Sequence, residues 1–182
     1  MKHRLYAYLY LSLLVLGFVA CDPPNDKTKD QLFNVKGKNN ALPNIEVTDF
    51  DSKTYHLHDL LKSDGHIKFL SFWATWCGPC SIEYNNLSSV YEKWQKKYHF
   101  QIISVSLDKP IMLPYLSSYV AKKQWDFDFY YDKDSKLSKQ LHIKSIPYGY
   151  LLDKNGKVVH IVEAYHEGLL VEMEAMLKDL NN

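Results

Sequence analysis

With 182 residues, the chain is long enough for one domain with a well-buried core and too short for two domains of ordinary size. Hydrophobic residues make up 46% of the sequence and aromatic residues 14%, which is the composition of a globular protein rather than of a disordered one. The 22 Lys and Arg residues nearly balance the 21 Asp and Glu residues, so the charge does not predict a nucleic-acid partner, which needs a clustered basic face.

The amino terminus has the pattern of an export signal. Three basic residues, Lys2, His3 and Arg4, precede an apolar run at residues 5–20. As a helix, these 16 residues would span roughly 24 Å, whereas the hydrocarbon core of a bilayer is about 30 Å thick. The run is short for a membrane-spanning helix, so we interpret residues 1–20 as a signal peptide. A tilted anchor that stays in the mature protein is the alternative.

The end of this apolar run resembles a bacterial lipoprotein box. The sequence Phe18–Val19–Ala20–Cys21 has a small residue directly before a cysteine, although Phe18 stands where such boxes usually have Leu. The resemblance implies that Cys21 is lipidated and becomes the first residue of an exported, membrane-anchored lipoprotein facing the periplasm or cell envelope. Residues 21–40 are then the lipidated cysteine and a polar, flexible tether, because they carry too little apolar surface to fold.

Residues 41–182 show alternating strand and helix patterns, which predict a single domain. Strands are predicted at residues 45–50, 53–58, 67–74, 100–107, 127–131, 148–153 and 157–163, and helices at 57–62, 79–98, 113–123, 135–141 and 167–180. The first two strands pair across Asp51–Ser52 and the last two across Lys154–Asn155–Gly156. Parallel strands need helical crossovers, so we expect an α/β fold with a central mixed β-sheet flanked by helices and an N-terminal β-hairpin extension.

Two segments around residue 77 carry the strongest structural signal. The near-continuous apolar run at 67–74 is typical of a central strand covered on both faces. The following helix is predicted to begin near Pro79, where a missing N–H costs little. Its buried stripe should consist of Leu87, Tyr91, Trp94 and Tyr98, which recur at helical spacing.

The motif Cys77–Gly78–Pro79–Cys80 falls at this junction between strand and helix. Free N–H groups and the helix dipole stabilise an anion there, so the pKa of Cys77 should lie below the free value of about 8.5. A thiolate is the nucleophile of thiol–disulfide exchange. We therefore expect an exposed Cys77 to attack a disulfide and a buried Cys80, one helical turn away, to resolve the mixed disulfide. An exported chain meets an oxidising compartment, where this pair can form a disulfide.

Other uses of the two cysteines fit the sequence less well. A purely structural bridge over so short a loop would contribute only roughly 1.9 kcal/mol. Zinc needs about four ligands, but the sequence has no second cysteine pair, and His56 and His58 are far from Cys77 and Cys80 in sequence. Covalent haem needs a histidine after Cys80, where Ser81 stands. We predict neither a metal nor another cofactor.

The segment Phe-Trp-Ala-Thr-Trp-Cys-Gly-Pro-Cys at residues 72–80 resembles the thioredoxin active site. Together with Ile146 and Pro147, just before a predicted strand, it makes residues 41–182 similar to the TlpA/ResA branch of the thioredoxin superfamily. The resemblance implies a cis Pro147 opposite the cysteine pair, next to backbone that receives substrate. We also expect Trp76 to shield the sulfurs rather than to react, and Trp73 to belong to the core.

The same resemblance implies a function and its partners. Members of this branch are exported, membrane-tethered thiol–disulfide oxidoreductases that typically reduce disulfides in exported proteins, for example in cytochrome c maturation. A membrane thiol-reductant donor supplies their electrons. The Gly-Pro dipeptide matches thioredoxin, a reductant near about −270 mV, rather than oxidants near about −120 mV, so we favour reduction.

Two positions differ from thioredoxin and one agrees with the ResA-like proteins. Ser71 stands where thioredoxins have a buried Asp, and Tyr148–Gly149 follow the proline where Thr is frequent. Glu83, three residues after Cys80, matches a glutamate of the ResA-like branch. We hypothesise that Glu83 tunes the titration of the cysteines in place of the missing Asp. The alternative is a solvated glutamate in the first turn of the helix.

Two other functions remain as alternatives. Thiol peroxidases of the peroxiredoxin type share this fold, but their Pro-x-x-x-Thr-x-x-Cys motif is absent, since Thr75 lies only two residues before Cys77. A non-enzymatic binding lipoprotein would have no need for the Cys-x-x-Cys pair.

Overall fold

The computed structural model describes residues 42–182. Within them, seven strands form one sheet, and five α-helices and a short 3₁₀ segment connect them. The strands are β1 (Glu46–Thr48), β2 (Thr54–His56), β3 (Ile67–Trp73), β4 (Phe100–Ser106), β5 (Asp128–Tyr131), β6 (Tyr148–Leu152) and β7 (Val158–Val162). The helices are α1 (Leu57–Leu61), α2 (Gly78–Tyr98), α3 (Leu113–Lys123), α4 (Lys136–Gln140) and α5 (Leu169–Asn181), with the 3₁₀ segment at Pro110–Met112.

The sheet is mixed, and its strand order is β2-β1-β5-β4-β3-β6-β7. Strand β4 runs parallel to both β3 and β5, because helices α2 and α3 provide the crossovers. Strand β6 is antiparallel to β3 and forms a hairpin with β7. The β1–β2 hairpin adds to the edge of β5, so the predicted mixed sheet and its N-terminal hairpin extension are both confirmed.

Both faces of the sheet are covered, which explains the unbroken apolar pattern of the central strands. Every residue of β3 is buried, and alternate residues enter two different clusters. Phe69 and Trp73 pack with helices α2, α3 and α5, whereas Leu70 and Phe72 pack with α1 and α4. The predicted stripe of α2 is buried against the first of these clusters. Strand β3 is thereby held firmly at the point where it leads into the cysteine motif.

The two predicted turns have the geometry that their residues indicated. Ser52 and Gly156 both have a positive φ, of 67° and 77° respectively. An aspartate at the start of each turn accepts two backbone hydrogen bonds. Asp49 accepts them from the N–H groups of residues 51 and 53, and Asp153 from those of residues 155 and 157. The predicted boundaries of strands and helices agree with the observed ones to within two residues.

The predictions for the amino terminus lie outside the described residues. They are the signal peptide at 1–20, lipidation of Cys21 and the tether at 21–40. Within residues 42–182, no helix combines the length and the apolar character needed to cross a bilayer.

Candidate active site

The cysteine pair lies where strand β3 passes into helix α2. Cys77 is the N-cap of α2, with φ −88° and ψ 101°, and its Sγ accepts a hydrogen bond from the backbone N–H of Cys80 at 3.2 Å. The two cysteines form a disulfide, and their Cα atoms are 5.3 Å apart. A sulfur at an N-cap faces the unpaired N–H groups of the first helical turn. This placement is the one expected from the sequence.

The burial of the two sulfurs differs less than expected. Cys77 is 5% exposed and Cys80 is fully buried, so the prediction of an exposed Cys77 is wrong for the disulfide form. The reason is that Cys77 belongs to the apolar cluster beneath α2, and its sulfur is turned inward toward the helix. The exposed residue is Trp76, at 71%, whereas Trp73 is buried in the core as predicted.

The Ile146–Pro147 segment lies at the same end of the sheet as the cysteines. The peptide bond between these residues is cis. Tyr148, the next residue, is paired with Phe72, one residue before β3 ends and the chain turns toward the cysteine motif. Ile146 packs on the apolar cluster that contains both cysteines. The fold therefore places the two sequence signatures at the same end of the sheet.

Glu83 is a buried acid. Its exposure is 1%, and burial raises its pKa to about 7, although a hydrogen bond from Ser71 Oγ to Oε1, at 3.5 Å, opposes the rise. Among the described residues, Oε2 has no hydrogen-bond partner. The alternative of a solvated first-turn glutamate is wrong, because α2 begins at Gly78 and residue 83 falls on the helix face that packs against the sheet.

A chain of buried hydroxyl groups leads from Glu83 into the sheet. Ser71 Oγ accepts a hydrogen bond from Tyr84 Oη at 3.1 Å, and Tyr84 Oη lies 2.7 Å from Ser104 Oγ. All three residues are fully buried. Tyr84 and Ser104 are not among the site residues predicted from the sequence. A signal for Ser104 exists, since it interrupts an apolar strand just as Ser71 does, and the two serines are register partners in β3 and β4.

The residues considered as zinc ligands do not form a metal site with the cysteines. His56 is on strand β2 and His58 on helix α1, and both belong to the edge of the fold that carries the hairpin. No group of three or more His, Cys, Asp or Glu side chains within residues 42–182 is arranged to hold a metal ion.

Residues 39–161 match the AhpC/TSA family. The chain is also similar to thiol–disulfide oxidoreductases called ResA. It is 34% identical over 162 residues to a ResA of Bacillus cereus, covering 87% of each chain. It is 30% identical over 180 residues to a ResA of Bacillus thuringiensis subsp. konkukian, covering 98% of each.

Solved structures confirm the thioredoxin-like fold. A thioredoxin-like protein from Porphyromonas gingivalis superposes with a TM-score of 0.69 at 26% sequence identity, over 77% of this chain and 91% of the other. A thiol-disulfide oxidoreductase from Bacteroides fragilis superposes with a TM-score of 0.62 at 20% identity, over 75% and 98% of the two chains. The second likeness shows the fold alone.

Proposed function

Because the chain belongs to the AhpC/TSA family and is a thiol–disulfide oxidoreductase of the ResA kind, we propose that it reduces disulfides in exported proteins through Cys77 and Cys80. The observation that carries the proposal is the position of Cys77 at the N-cap of α2, disulfide-bonded to a buried cysteine one turn away. A nucleophile at a helix N-terminus and a partner within bonding distance are what disulfide exchange requires.

The reaction begins with the reduced pair. The Cys77 thiolate attacks one sulfur of the client disulfide, which breaks that bond, forms a mixed disulfide and releases one client thiolate. Cys80 then loses its proton and attacks Cys77 Sγ, which expels the second client sulfur as a thiolate. Two electrons have passed to the client, whose thiolates take up protons, and the enzyme is left with its disulfide. A membrane thiol-reductant donor restores the dithiol.

Glu83 accepts the proton that Cys80 loses in the second step. The proposal rests on the burial of its carboxyl on the same helix, one turn from Cys80, and on a pKa of about 7. A base is most effective when its pKa is close to the working pH. Ser71 cannot take this role, because a neutral hydroxyl is not a base near neutral pH.

The remaining predicted site residues position the client. Ile146 and the cis Pro147 lie at the cysteine end of the sheet, where the backbone before β6 can lie along a client strand. Trp76, which directly precedes Cys77 and is exposed, is proposed to shield the sulfurs from the solvent side. Gly78 and Pro79 form the first turn of α2, and a Cβ at Gly78 would meet nothing within 4 Å, so this turn leaves room for a client chain.

The direction of electron flow can be measured directly. We expect the purified protein to reduce a small test disulfide and to have a reduction potential close to that of thioredoxin, about −270 mV. A potential above about −150 mV would assign it to the oxidants instead. Peroxide consumption is the control: rapid oxidation of Cys77 by peroxide, without disulfide reductase activity, would establish the thiol peroxidase alternative.

Exported, disulfide-containing proteins such as apocytochromes c are the proposed clients. The protein is proposed to be attached to the lipid bilayer through its N-terminal anchor. This location depends on the signal peptide at 1–20 and on lipidation of Cys21. We expect the full chain to fractionate with membranes and the Cys21→Ser variant to be released into the soluble fraction or to retain its signal peptide. A wild-type chain that carries no lipid and still begins with residues 1–20 would instead support the retained-anchor alternative.

A further inference from the structure

A buried aspartate lies next to the cysteine motif and has no part in the reaction described above. Asp108 is the second residue after β4, and it is 3% exposed. Its carboxylate accepts hydrogen bonds from the backbone N–H of Thr75 at 2.9 Å, from the hydroxyl of Thr75 at 2.8 Å and from the hydroxyl of Ser106 at 2.8 Å. Within the described part of the chain it forms no ion pair with a basic side chain.

The three bonds are of the kind that stabilises a buried carboxylate. A buried charge is costly unless hydrogen bonds stabilise it, and bonds to an ionised acceptor are the strong ones. Both oxygens of Asp108 are used, Oδ1 by one donor and Oδ2 by two. An asparagine with its oxygen in place of Oδ2 could accept the same two bonds and donate from its N–H₂ group to the hydroxyl of Thr75, so it would keep the contacts but not the charge. The carboxylate differs from this neutral isostere in the strength of the bonds that it accepts.

The hydrogen bonds hold the turn that leads to the reactive cysteine. The N–H of Cys77 donates to the carbonyl of Ala74 at 3.0 Å, which closes a turn with Thr75 in its second position. Asp108 binds Thr75 through both main chain and side chain, and the N–H of Leu107 donates to the carbonyl of Trp73 at 2.8 Å. Two consecutive residues after β4 thus fix the start and the middle of the active-site turn.

We propose that Asp108 is a positioning residue for the redox pair: through Thr75 it fixes the turn that presents the sulfur of Cys77 to the amino end of α2. The inference rests on the proposed function, in which Cys77 is the attacking sulfur. A thiolate gains most from the helix N–H groups when its sulfur is held in line with them. A turn that is free to shift would hold the sulfur there for less of the time.

The charge of Asp108 and its hydrogen bonds have opposite effects on the pKa of the Cys77 thiol. A nearby negative charge disfavours a second anion, so charge alone would raise the pKa of the Cys77 thiol. Positioning lowers it, by keeping the sulfur at the helix terminus. The two effects can be separated, because the hydroxyl of Thr75 can be removed without any change of charge.

The test uses four substitutions in the full reduced protein, two at Thr75, one at Thr48 and Asp108→Ala. Thr75→Val is nearly isosteric and removes one hydrogen bond to Asp108, whereas Thr75→Ser keeps both donors. Thr48→Val is the control for the loss of a threonine hydroxyl elsewhere: Thr48 is buried, whereas Thr75 is half-buried, and Thr48 lies on β1 beside the edge strand. Two properties are measured: the pKa of Cys77, from the pH dependence of its alkylation, and the rate at which the dithiol attacks a small test disulfide.

We expect Thr75→Val to raise the pKa of Cys77 and to slow the attack at neutral pH roughly 3- to 10-fold, because each unit toward the free value of about 8.5 lowers the thiolate fraction by up to tenfold. Thr75→Ser should stay within about twofold of the wild type in the same assay, because it keeps the donor. Thr48→Val should leave both properties unchanged. A merely structural role would change thermal stability but not the titration of Cys77.

Two results would overturn the inference. The first is a Thr75→Val protein with the titration and attack rate of the wild type. The second is an Asp108→Ala protein, which lacks both the charge and the hydrogen bonds, in which the pKa of Cys77 falls; this would mean that the charge of Asp108 outweighs its hydrogen bonds. A wild-type protein that fails to reduce the test disulfide at all would refute the proposed function instead, so the two failures are distinguishable.

Discussion

Replacement of Cys80 by alanine is expected to stop turnover and to leave the protein joined to its clients. Cys77 retains its place at the N-cap of α2 and can still attack, but no second sulfur is present to displace the client. Turnover of disulfide substrates should fall by roughly 10³-fold or more, as expected when one member of a covalent mechanism is lost. Mixed disulfides should accumulate and should be visible on non-reducing gels.

The matched control is replacement of Cys77 by alanine. This variant should be equally inactive but should form no adducts, because the buried Cys80 cannot reach a client from beneath the helix. Adducts that form on Cys77→Ala but not on Cys80→Ala would show that Cys80 is the attacking cysteine and Cys77 the resolving one. Continued turnover by Cys80→Ala would refute the resolving step altogether. Mass spectrometry of the trapped adducts, released with a reductant, identifies the client proteins directly.

Replacement of Glu83 by glutamine should make the folded protein more stable at alkaline pH. The pKa of Glu83 is raised by burial from 4.5 to about 7, so the folded state binds this proton more tightly than the unfolded state does. The associated stability is fully present below about pH 4.5 and is lost as the pH rises through about 7. Integrated over that window, the loss in the free energy of unfolding is on the order of 3 kcal/mol. A glutamine does not titrate, so the variant does not show this loss.

The measurement is urea unfolding of the disulfide form at several pH values. The difference in free energy of unfolding between Glu83→Gln and the wild type should grow between about pH 4.5 and pH 8, while contributions from all other groups cancel. Glu92→Gln provides the control, because Glu92 is an exposed glutamate on the same helix. A flat difference for Glu83→Gln would show that this carboxyl is ionised or solvated in the folded protein.

The same variant tests the catalytic role of Glu83. In the reduced protein, glutamine should change the titration of the two thiols and the pH dependence of the resolving step, because the group that accepts the proton of Cys80 is gone. Thiol pKa values that are unchanged in Glu83→Gln would end the tuning hypothesis, even if the stability prediction holds. The two outcomes are independent, since burial alone accounts for the stability effect.

Much of the fold could be predicted because its signals are local. The apolar run of β3, the stripe of α2 and the glycine in the β6–β7 turn each lie within one segment, and each has one structural solution that buries its apolar face. The junction of β3 and α2 is likewise contained in a few consecutive residues. The position of Cys77 at a helix N-terminus therefore followed directly from the order of the residues.

The environment of Glu83 could not be predicted in this way. Its position on α2 allowed either a solvated or a buried side chain, and the choice depends on how the helix rotates against β3. The same rotation brings Tyr84 to Ser71 and Ser104, which come from two different strands. The exposure of Cys77 was predicted wrongly for a related reason, since the packing of the turn around the disulfide buries its sulfur.

By itself, the sequence determined the order of strands and helices, the cysteine pair at their junction and the proline that precedes β6. Periodicity and short motifs encode these features within single segments. Only the tertiary structure decided that Asp108 binds Thr75, 33 residues away, and that Glu83 faces the interior. Contacts of this kind depend on strand register and helix rotation, which are settled by the joint packing of the whole core.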